Sequence, residues 1–412
     1  MTTTQAAARN ETAAVVAGSR RAPQRLVWLL AIACGLTAAN LYYCQPLLPR
    51  IAHSFAAANS SAGTLVMTTQ LGYALGLVLL VPLGDIMRRR GLVCALLGLE
   101  AVALGLSAAA PALGVLLAAG ALVGLAASLV QILLPYAATV AAENERARVM
   151  ATLLTGVLLG ILLSRTVAGL IGETFGWRSV YLAAAVLTAL LAAGLARSME
   201  SAAPELEIGY AEQLRATVRL AAREPVLRRR SVIGACVFGG FGAFWATIAF
   251  LLAGPSYHFN QAEIGLFALV GAAGAIASKL AGRLADAGRQ RPLTGLLLAV
   301  GVAAFGAIAL GGHSLLSLLV GVLVMDAAVQ GVHLLNMSVV YSLGAGARSR
   351  IASVYMTTYY LGGAVGSAAG TEAYRFGGWT AVGAVGAAFM AIGFATWLRD
   401  LSATPRTLPA AA

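Results

Sequence analysis

An ionisable side chain inside a long apolar run needs a reason, because placing one in hydrocarbon costs about 2.5 to 3.5 kcal/mol on insertion scales. Five stand in such runs here: Glu100, Arg165, Lys279, Asp326 and His333. Asp326 is the first choice for a group that takes up and releases a proton, since protonation changes what a carboxyl can bond. An Asp held by hydrogen bonds to neighbouring helices is the structural alternative. His333 and Asn336 follow at helical spacing, near the same face; His333 suits a proton relay or plain packing. Arg165 carries a planar fork that fits an anionic solute or a carboxylate partner, or a gate that bonds backbone carbonyls. At a rise of about 1.5 Å per residue, Arg165 and Asp326 differ by about 10 Å in depth, so no salt bridge between them is expected. Lys279, the sole lysine, reads as snorkelling to the surface, with a site role as the alternative. Glu100 is either a neutral buried carboxyl or an unassigned site.

Amides and aromatic rings recur in the same runs. Asn40, Tyr42, Tyr43 and Gln45 fall in the first, Gln70 and Tyr73 in the second, and Gln131 and Tyr136 in the fourth. Phe241, Phe244 and Trp245 fall in the seventh, Gln330 and Asn336 in the tenth, and Tyr359 and Tyr360 in the eleventh. Together they are expected to wall a cavity with few charges, which suits an amphipathic or weakly polar solute. Tyr42, Tyr43 and Gln45 also suit an interfacial belt.

The elements that position these groups are long apolar runs, long enough to span about 30 Å of hydrocarbon as helices. Twelve are legible, at 26–48, 62–83, 92–110, 112–137, 150–171, 178–196, 231–253, 263–284, 293–311, 314–341, 351–371 and 378–398. The chain is 59% hydrophobic and 11% charged, with a mean hydropathy of +0.83, against roughly 25% charged residues in soluble domains. A net charge of +12 would fit nucleic acid only if the basic residues clustered on one solvated face. They sit instead in short runs between apolar segments, the pattern of the positive-inside rule, which puts both termini in the cytoplasm. Ser19-Arg20-Arg21 reads as the positive flank of the first span rather than a cleaved signal. Cys34, Cys44, Cys94 and Cys236 lie inside apolar runs without metal-ligand spacing and read as packing residues.

Val81 to Arg90 and Gly282 to Arg291 carry one pattern twice, half a chain apart: a lone Asp (Asp85, Asp286) followed by arginines, Arg88, Arg89 and Arg90 in one copy, Arg289 and Arg291 in the other. Phe175-Gly176-Trp177 repeats as Phe376-Gly377-Gly378-Trp379. Asp85 and Asp286 are expected to be conformational latches, with a plain topology signal as the alternative. The layout is a tail (1–25), a six-helix bundle (26–196), a linker (197–230) with an interfacial helix over Tyr210 to Arg223, a second bundle (231–398) and a tail (399–412). Glycine pairs such as Gly156 and Gly160, Gly239, Gly240 and Gly242, and Gly362, Gly363 and Gly366 allow close helix approach.

Twelve spans in two halves, with an Asp/Arg-rich loop after the second and eighth, resemble the major facilitator superfamily of secondary transporters. Ala39 to Pro49, Gln70 to Asp85, Gly156 to Arg178 and Tyr360 to Gly370 resemble its bacterial arabinose-efflux-permease-like branch, related to drug/proton antiporters. The resemblance implies an all-α integral membrane fold of two pseudo-symmetric bundles. The sequence departs from it in three places: the loop motif's first glycine falls on Val81, the arginine after Asp85 on Ile86 and its later glycine on Arg88; the arginine expected in the fourth helix of many proton-coupled members falls on Gly120; and the Gly-Pro motif of antiporters in the fifth is missing. The reading is a proton-linked transporter that exports a small organic molecule by alternating access, in the inner membrane, as a monomer in lipid. A facilitator or uptake permease is the alternative. No metal cluster, nucleophile elbow or nucleotide loop is present, so an enzyme is disfavoured, as is a receptor by the twelve-span repeat and the lack of a sizeable soluble domain, and no cofactor or nucleic acid is implied.

Overall fold

In lipid a backbone must satisfy its own N–H and C=O groups, and the apolar runs accordingly form helices. A computed structural model describes residues 23–200, 209–271, 290–343 and 348–401, and every element in them is helical. Span 1 is α1 (Gln24–Asn40) and α2 (Cys44–Ser54), meeting at a bend of 41°. Span 2 is α3 (Asn59–Leu79) with the short α4 (Leu83–Ile86), and span 3 is α5 (Arg89–Ala109). Span 4 is α6 (Leu113–Ala127) and α7 (Val130–Val140); spans 5 and 6 are α8 (Arg146–Phe175) and α9 (Trp177–Ser198). The linker forms α10 (Tyr210–Arg223). Span 7 is α11 (Pro225–Trp245) with α12 (Ile248–Ala253), and span 8 is described from α13 (Gln261–Phe267) to Gly271. Spans 9 and 10 are α14 (Gln290–Ala309) and α15 (Leu315–Tyr341); α16 (Arg348–Leu401) holds spans 11 and 12. The remainder of the eighth run, with Lys279, Gly282, Asp286 and Arg289, lies outside the described residues.

Local chemistry explains the breaks. Pro46 has no N–H to give Tyr42, so the α1 ladder ends and Gln45 N–H bonds Tyr42 O at 3.2 Å instead. Gly176 (φ +82°) and Gly378 (φ +63°) turn the chain between spans 5 and 6 and between spans 11 and 12, in a backbone region that L side chains rarely adopt. Each is followed by a tryptophan whose indole N–H is bonded, Trp177 to Ser54 Oγ at 3.0 Å and Trp379 to Ile308 O at 2.6 Å. The repeated Gly-Trp landmark is therefore the same corner built twice.

Span 1 packs on span 5, span 3 on span 6 and span 2 on span 4; span 7 packs on span 11, and span 9 on spans 10 and 12. Two seams join the halves: span 2 against span 11, and span 5 against span 8. Gly239 and Gly366 put spans 7 and 11 in backbone contact, and Gly156 and Gly160 do the same for spans 5 and 1. Helix α10 lies across the linker end, where Tyr210 OH bonds Leu79 O at 2.9 Å.

Two boundaries differ from expectation. Span 7 starts at Pro225 rather than 231, because a proline at the first helical position costs no hydrogen bond. Span 12 runs to Leu401, so Asp400 belongs to the bundle and not to a tail. The two corrections meet in one contact. Arg230, 2% exposed, pairs with Asp400 at 3.1 Å, Arg229 pairs with the same carboxylate at 2.9 Å, and Arg230 also bonds Asn336 Oδ1 at 3.4 Å. Removing one partner of a buried pair strands the other, at about 3 to 5 kcal/mol, whereas replacing both by apolar groups is often neutral. Asp400→Ala is expected to lower the thermal unfolding midpoint in detergent sharply, and Arg230→Met with Asp400→Leu to recover most of the loss.

Candidate functional site

A cavity of about 320 Å³ lies between the halves. Tyr42, Tyr73, Gln131 and Ile161 line it from the first half, and Phe238, Phe241, Gln330, His333, Tyr359 and Tyr360 from the second. It extends past Leu134, Leu154, Met337 and Tyr341 toward the linker end. Its rings are mutually packed: Tyr73 on Tyr360 and Phe238 on Tyr359, each with centroids 4.1 Å apart, and Phe238 on Phe241 at 5.3 Å. Polar groups are few. Gln131 Nε2 donates to Tyr73 OH at 3.5 Å, and His333 Nδ1 meets Tyr355 OH at 3.2 Å with its ring 4.7 Å from that of Tyr359.

Arg165, 5% exposed, closes the top of this space. Its Nε–H donates to Gln45 Oε1 at 2.5 Å, and its guanidinium lies 4.1 Å from the Trp245 ring centroid and 4.8 Å from that of Tyr42. Among the described residues no carboxylate lies within ion-pair distance, and its Nη2 has no hydrogen-bond partner. Magnitudes show why this is tolerated. A desolvated cation–π contact contributes about 2 kcal/mol and a hydrogen bond from a charged group about 1.5 to 3 kcal/mol. Together they offset an insertion cost of about 2.5 to 3.5 kcal/mol. Asp326 is therefore not needed as a counter-ion. It lies 5% exposed within electrostatic reach of Arg165, against Gly271 and beside Trp245, with its Oδ1 unpartnered. The two groups converge on one indole, because Trp245 reaches between them.

Above Arg165 only about 10 Å³ remains, enclosed by Gln45, Pro46, Trp245, Ile248, Ala249, Ile264, Phe267 and Ala268. The seam there is tight. Thr166 Oγ1 donates to Gly265 O at 2.9 Å, and Glu173 accepts from Gln261 N at 3.0 Å while pairing with Arg50 at 2.8 Å. Gly169 and Gly265 face each other: a Cβ on Gly169 would lie 2.9 Å from the Gly265 α-carbon. The far end is sealed between spans 5 and 8.

The other candidates are dispersed. Tyr43 lines a groove between spans 1 and 5, and Gln70 sits in the span 2 to span 11 seam beside Gly363, with its Oε1 unpartnered. Asn336 faces Arg230 rather than the cavity, and Asn40 faces Glu100. Phe244 is fully buried against Trp245 and Trp379. Asp85 accepts from Gln213 of α10 at 3.1 Å and lies 3.8 Å from Arg89, which also bonds Gly84 O; Arg88 and Arg90 flank that contact. In the second copy, Arg291 O accepts from Trp397, while Asp286 and Arg289 lie outside the described residues. Gly120, where an arginine was expected, lies against Leu65 and Thr69, leaving no room for a long side chain. Sequence reasoning missed the Glu173 closure and the Arg230 and Asp400 pair, whose partners are brought together only by tertiary packing.

Two helical bundles around a central cavity, sealed at one end, define a solute transporter. The model of the Major Facilitator Superfamily matches residues 30–367, and the chain belongs to that family. Two relatives named as transporters are similar over nearly their whole length. YgaY of Escherichia coli O157:H7 is 41% identical over 374 residues, covering 91% of this chain and 95% of that one. SCO4007 of Streptomyces coelicolor is 34% identical over 368 residues, covering 89% and 85%. Among solved structures, an inward-facing, occupied bacterial homologue of the human lysosomal transporter Spinster has the same fold. It superposes with a TM-score of 0.74 at 15% identity, covering 92% of this chain and 97% of that one. The protein is a multi-pass membrane transporter and not an enzyme.

The seal gives a direct expectation. Gly265→Leu places a side chain against the Arg165 carbonyl, which already lies 2.8 Å from an added Cβ. In a cysteine-free background, a cysteine at Ala268 is expected to react with an impermeant maleimide from the far side in Gly265→Leu and to stay protected without that change.

Proposed function

We propose that this transporter exports a small amphipathic organic molecule from the cytoplasm in exchange for protons, by rocking its two halves about the central cavity. The observation that carries the reading is the cavity itself: aromatic walls, few amides, and a fixed cation and a separate carboxyl together at its closed end. Its volume of about 320 Å³ sits at the lower end of drug-sized sites, roughly 300 to 1,000 Å³, which favours a compact solute. Basic residues concentrate at the linker end, which the positive-inside rule assigns to the cytoplasm, so the cavity opens inward in this state. An inner-membrane location agrees with that orientation.

In this account the solute lies among Tyr42, Tyr73, Phe238, Phe241 and Tyr359, with Gln131 and Gln330 fixing its polar end. Asp326 carries the proton. Because Arg165 is held by rings and Gln45, Asp326 is free to change protonation without leaving that cation unsupported. The Asp85 contact with Gln213 acts as a latch at the cytoplasmic end. The protein works as a monomer, each chain holding a complete cavity. A facilitator without proton exchange is the second reading, favoured by Gly120 in place of the expected arginine.

The test uses inverted vesicles energised to an acid interior, a pH-sensitive dye, and a panel of drugs, sugars and amphipathic metabolites. One compound is expected to dissipate the gradient in wild type and not in Asp326→Asn. No dissipation with any compound, alongside gradient-independent flux of a labelled solute, contradicts proton exchange and leaves the facilitator.

A further inference from the structure

A second carboxyl is buried away from the cavity. Glu100, in the middle of span 3, is 0% exposed, and among the described residues no basic group pairs with it. Both of its oxygens are hydrogen-bonded to span 1: Oε1 accepts from Asn40 Nδ2 at 2.9 Å and Oε2 from Thr37 Oγ1 at 3.1 Å. On the span 1 side, Tyr43, at the bend between α1 and α2, brings its phenol within electrostatic reach, and Cys34 and Cys44 are the thiols of those two helices. Span 4 carries no charged side chain, and its Tyr136 lies toward the linker end; span 6 has Tyr181, with Arg178 and Arg197 near its two ends. Asp85, Arg89 and Arg90 lie at the linker end of span 3. The site is therefore a carboxyl supported by two neutral donors.

Two further observations give this site a consequence. First, Asn40 Oδ1 is buried with no hydrogen-bond partner. As an acceptor only, an ionised carboxylate uses the Asn40 N–H; a protonated one has an O–H to donate, and a half-turn of the Asn40 amide would offer it the orphaned oxygen. Second, Asn40 is the last residue of α1, directly before the 41° bend. On the other side of that bend, in the first turn of α2, Gln45 holds Arg165, and Tyr42 between them stacks on the same guanidinium. The flanking residues Ala38 and Leu41 line the cavity.

We propose that Glu100 is a proton-binding site whose occupancy sets the bend of span 1 through Asn40 and Thr37, and through that bend the position of Gln45 and Tyr42 against Arg165. Its functional consequence rests on the proton-exchange reading above. In that cycle Asp326 holds a proton at the cavity and Glu100 holds one at the hinge. Ionised Glu100 keeps both donors of α1 and fixes the bend; protonated Glu100 reverses one bond and loosens the last turn before it. A two-state element biased by a bound proton is what population-shift coupling requires.

The experiment uses full-length protein in nanodiscs. Infrared difference spectra across a pH titration read the carboxylic-acid C=O stretch, and spin labels at Gln24→Cys and His53→Cys, in a background free of native cysteines, read the span 1 bend. With Asp326→Asn in place to remove the cavity carboxyl's own band, the otherwise unchanged protein is expected to show a titrating buried carboxylic acid and a pH-dependent label distance. Glu100→Gln is expected to lose that band and to hold the low-pH distance at every pH; Asn40→Leu, the second variant, to keep the band and lose the pH dependence of the distance. A band and a pH-dependent distance unchanged in Glu100→Gln overturn the proposal. Solute-driven proton flux that survives in Glu100→Gln but not in Asp326→Asn, with the bend unaltered, overturns it while leaving proton exchange standing. A bend that titrates through Glu100 in a protein without solute-driven flux supports the site and sinks the exchange reading instead.

Discussion

A guanidinium buried between two helical bundles, with no carboxylate bonded to it among the described residues, constrains everything around it. Arg165 cannot shed its charge, so the surrounding residues must supply the field that water would have supplied. They do so with the faces of Trp245 and Tyr42 and the amide oxygen of Gln45. These residues come from spans 1 and 7, so one charge holds both halves together at the closed end of the cavity. Any movement that opens the far end must take Arg165 out of this cage or carry the cage with it.

That constraint gives the bend in span 1 its importance. Pro46 removes one backbone donor, and the helix is divided into a lower part tied to Glu100 and an upper part tied to Arg165 and, through Arg50 and Glu173, to the start of span 8. The bonds that close the far end tie spans 1, 5 and 8 together, while the linker end is held by α10 and by Ser353 Oγ on Leu77 O at 3.2 Å. Small residues make the sliding surfaces: Gly169 on Gly265 across the halves, Gly239 on Gly366 within one. Backbone-to-backbone contact allows close approach without interlocking side chains, which suits surfaces that must part and rejoin.

Much of the architecture was legible in the sequence, because hydrocarbon thickness fixes helix length. The repeat of Phe175-Gly176-Trp177 at Phe376 to Trp379 was legible too, since a positive-φ corner needs glycine in both copies. Side-chain direction was harder to read. Asp326 and Asn336 sit on one helix, yet Asn336 serves Arg230, whose place in the bundle depended on a helix start at Pro225. Glu100 stood out as a charge in an apolar run, but nothing in its spacing named Asn40 and Thr37 as partners; only the side-chain hydrogen bonds that reach from span 1 in the folded bundle do. Depth counting separated Arg165 from Asp326, because it ignores a residue as large as Trp245 reaching between them.

Transport by alternating access requires that the cavity be reached from one side at a time. The most direct measurement places a single cysteine at Gln330 in a cysteine-free protein and compares its reaction with an impermeant maleimide in inverted and right-side-out vesicles. Reaction in inverted vesicles with protection in right-side-out ones is the predicted result, and addition of a transported solute should slow it. Equal reaction from both sides, or reaction from the far side alone, would contradict a cavity sealed beneath Arg165.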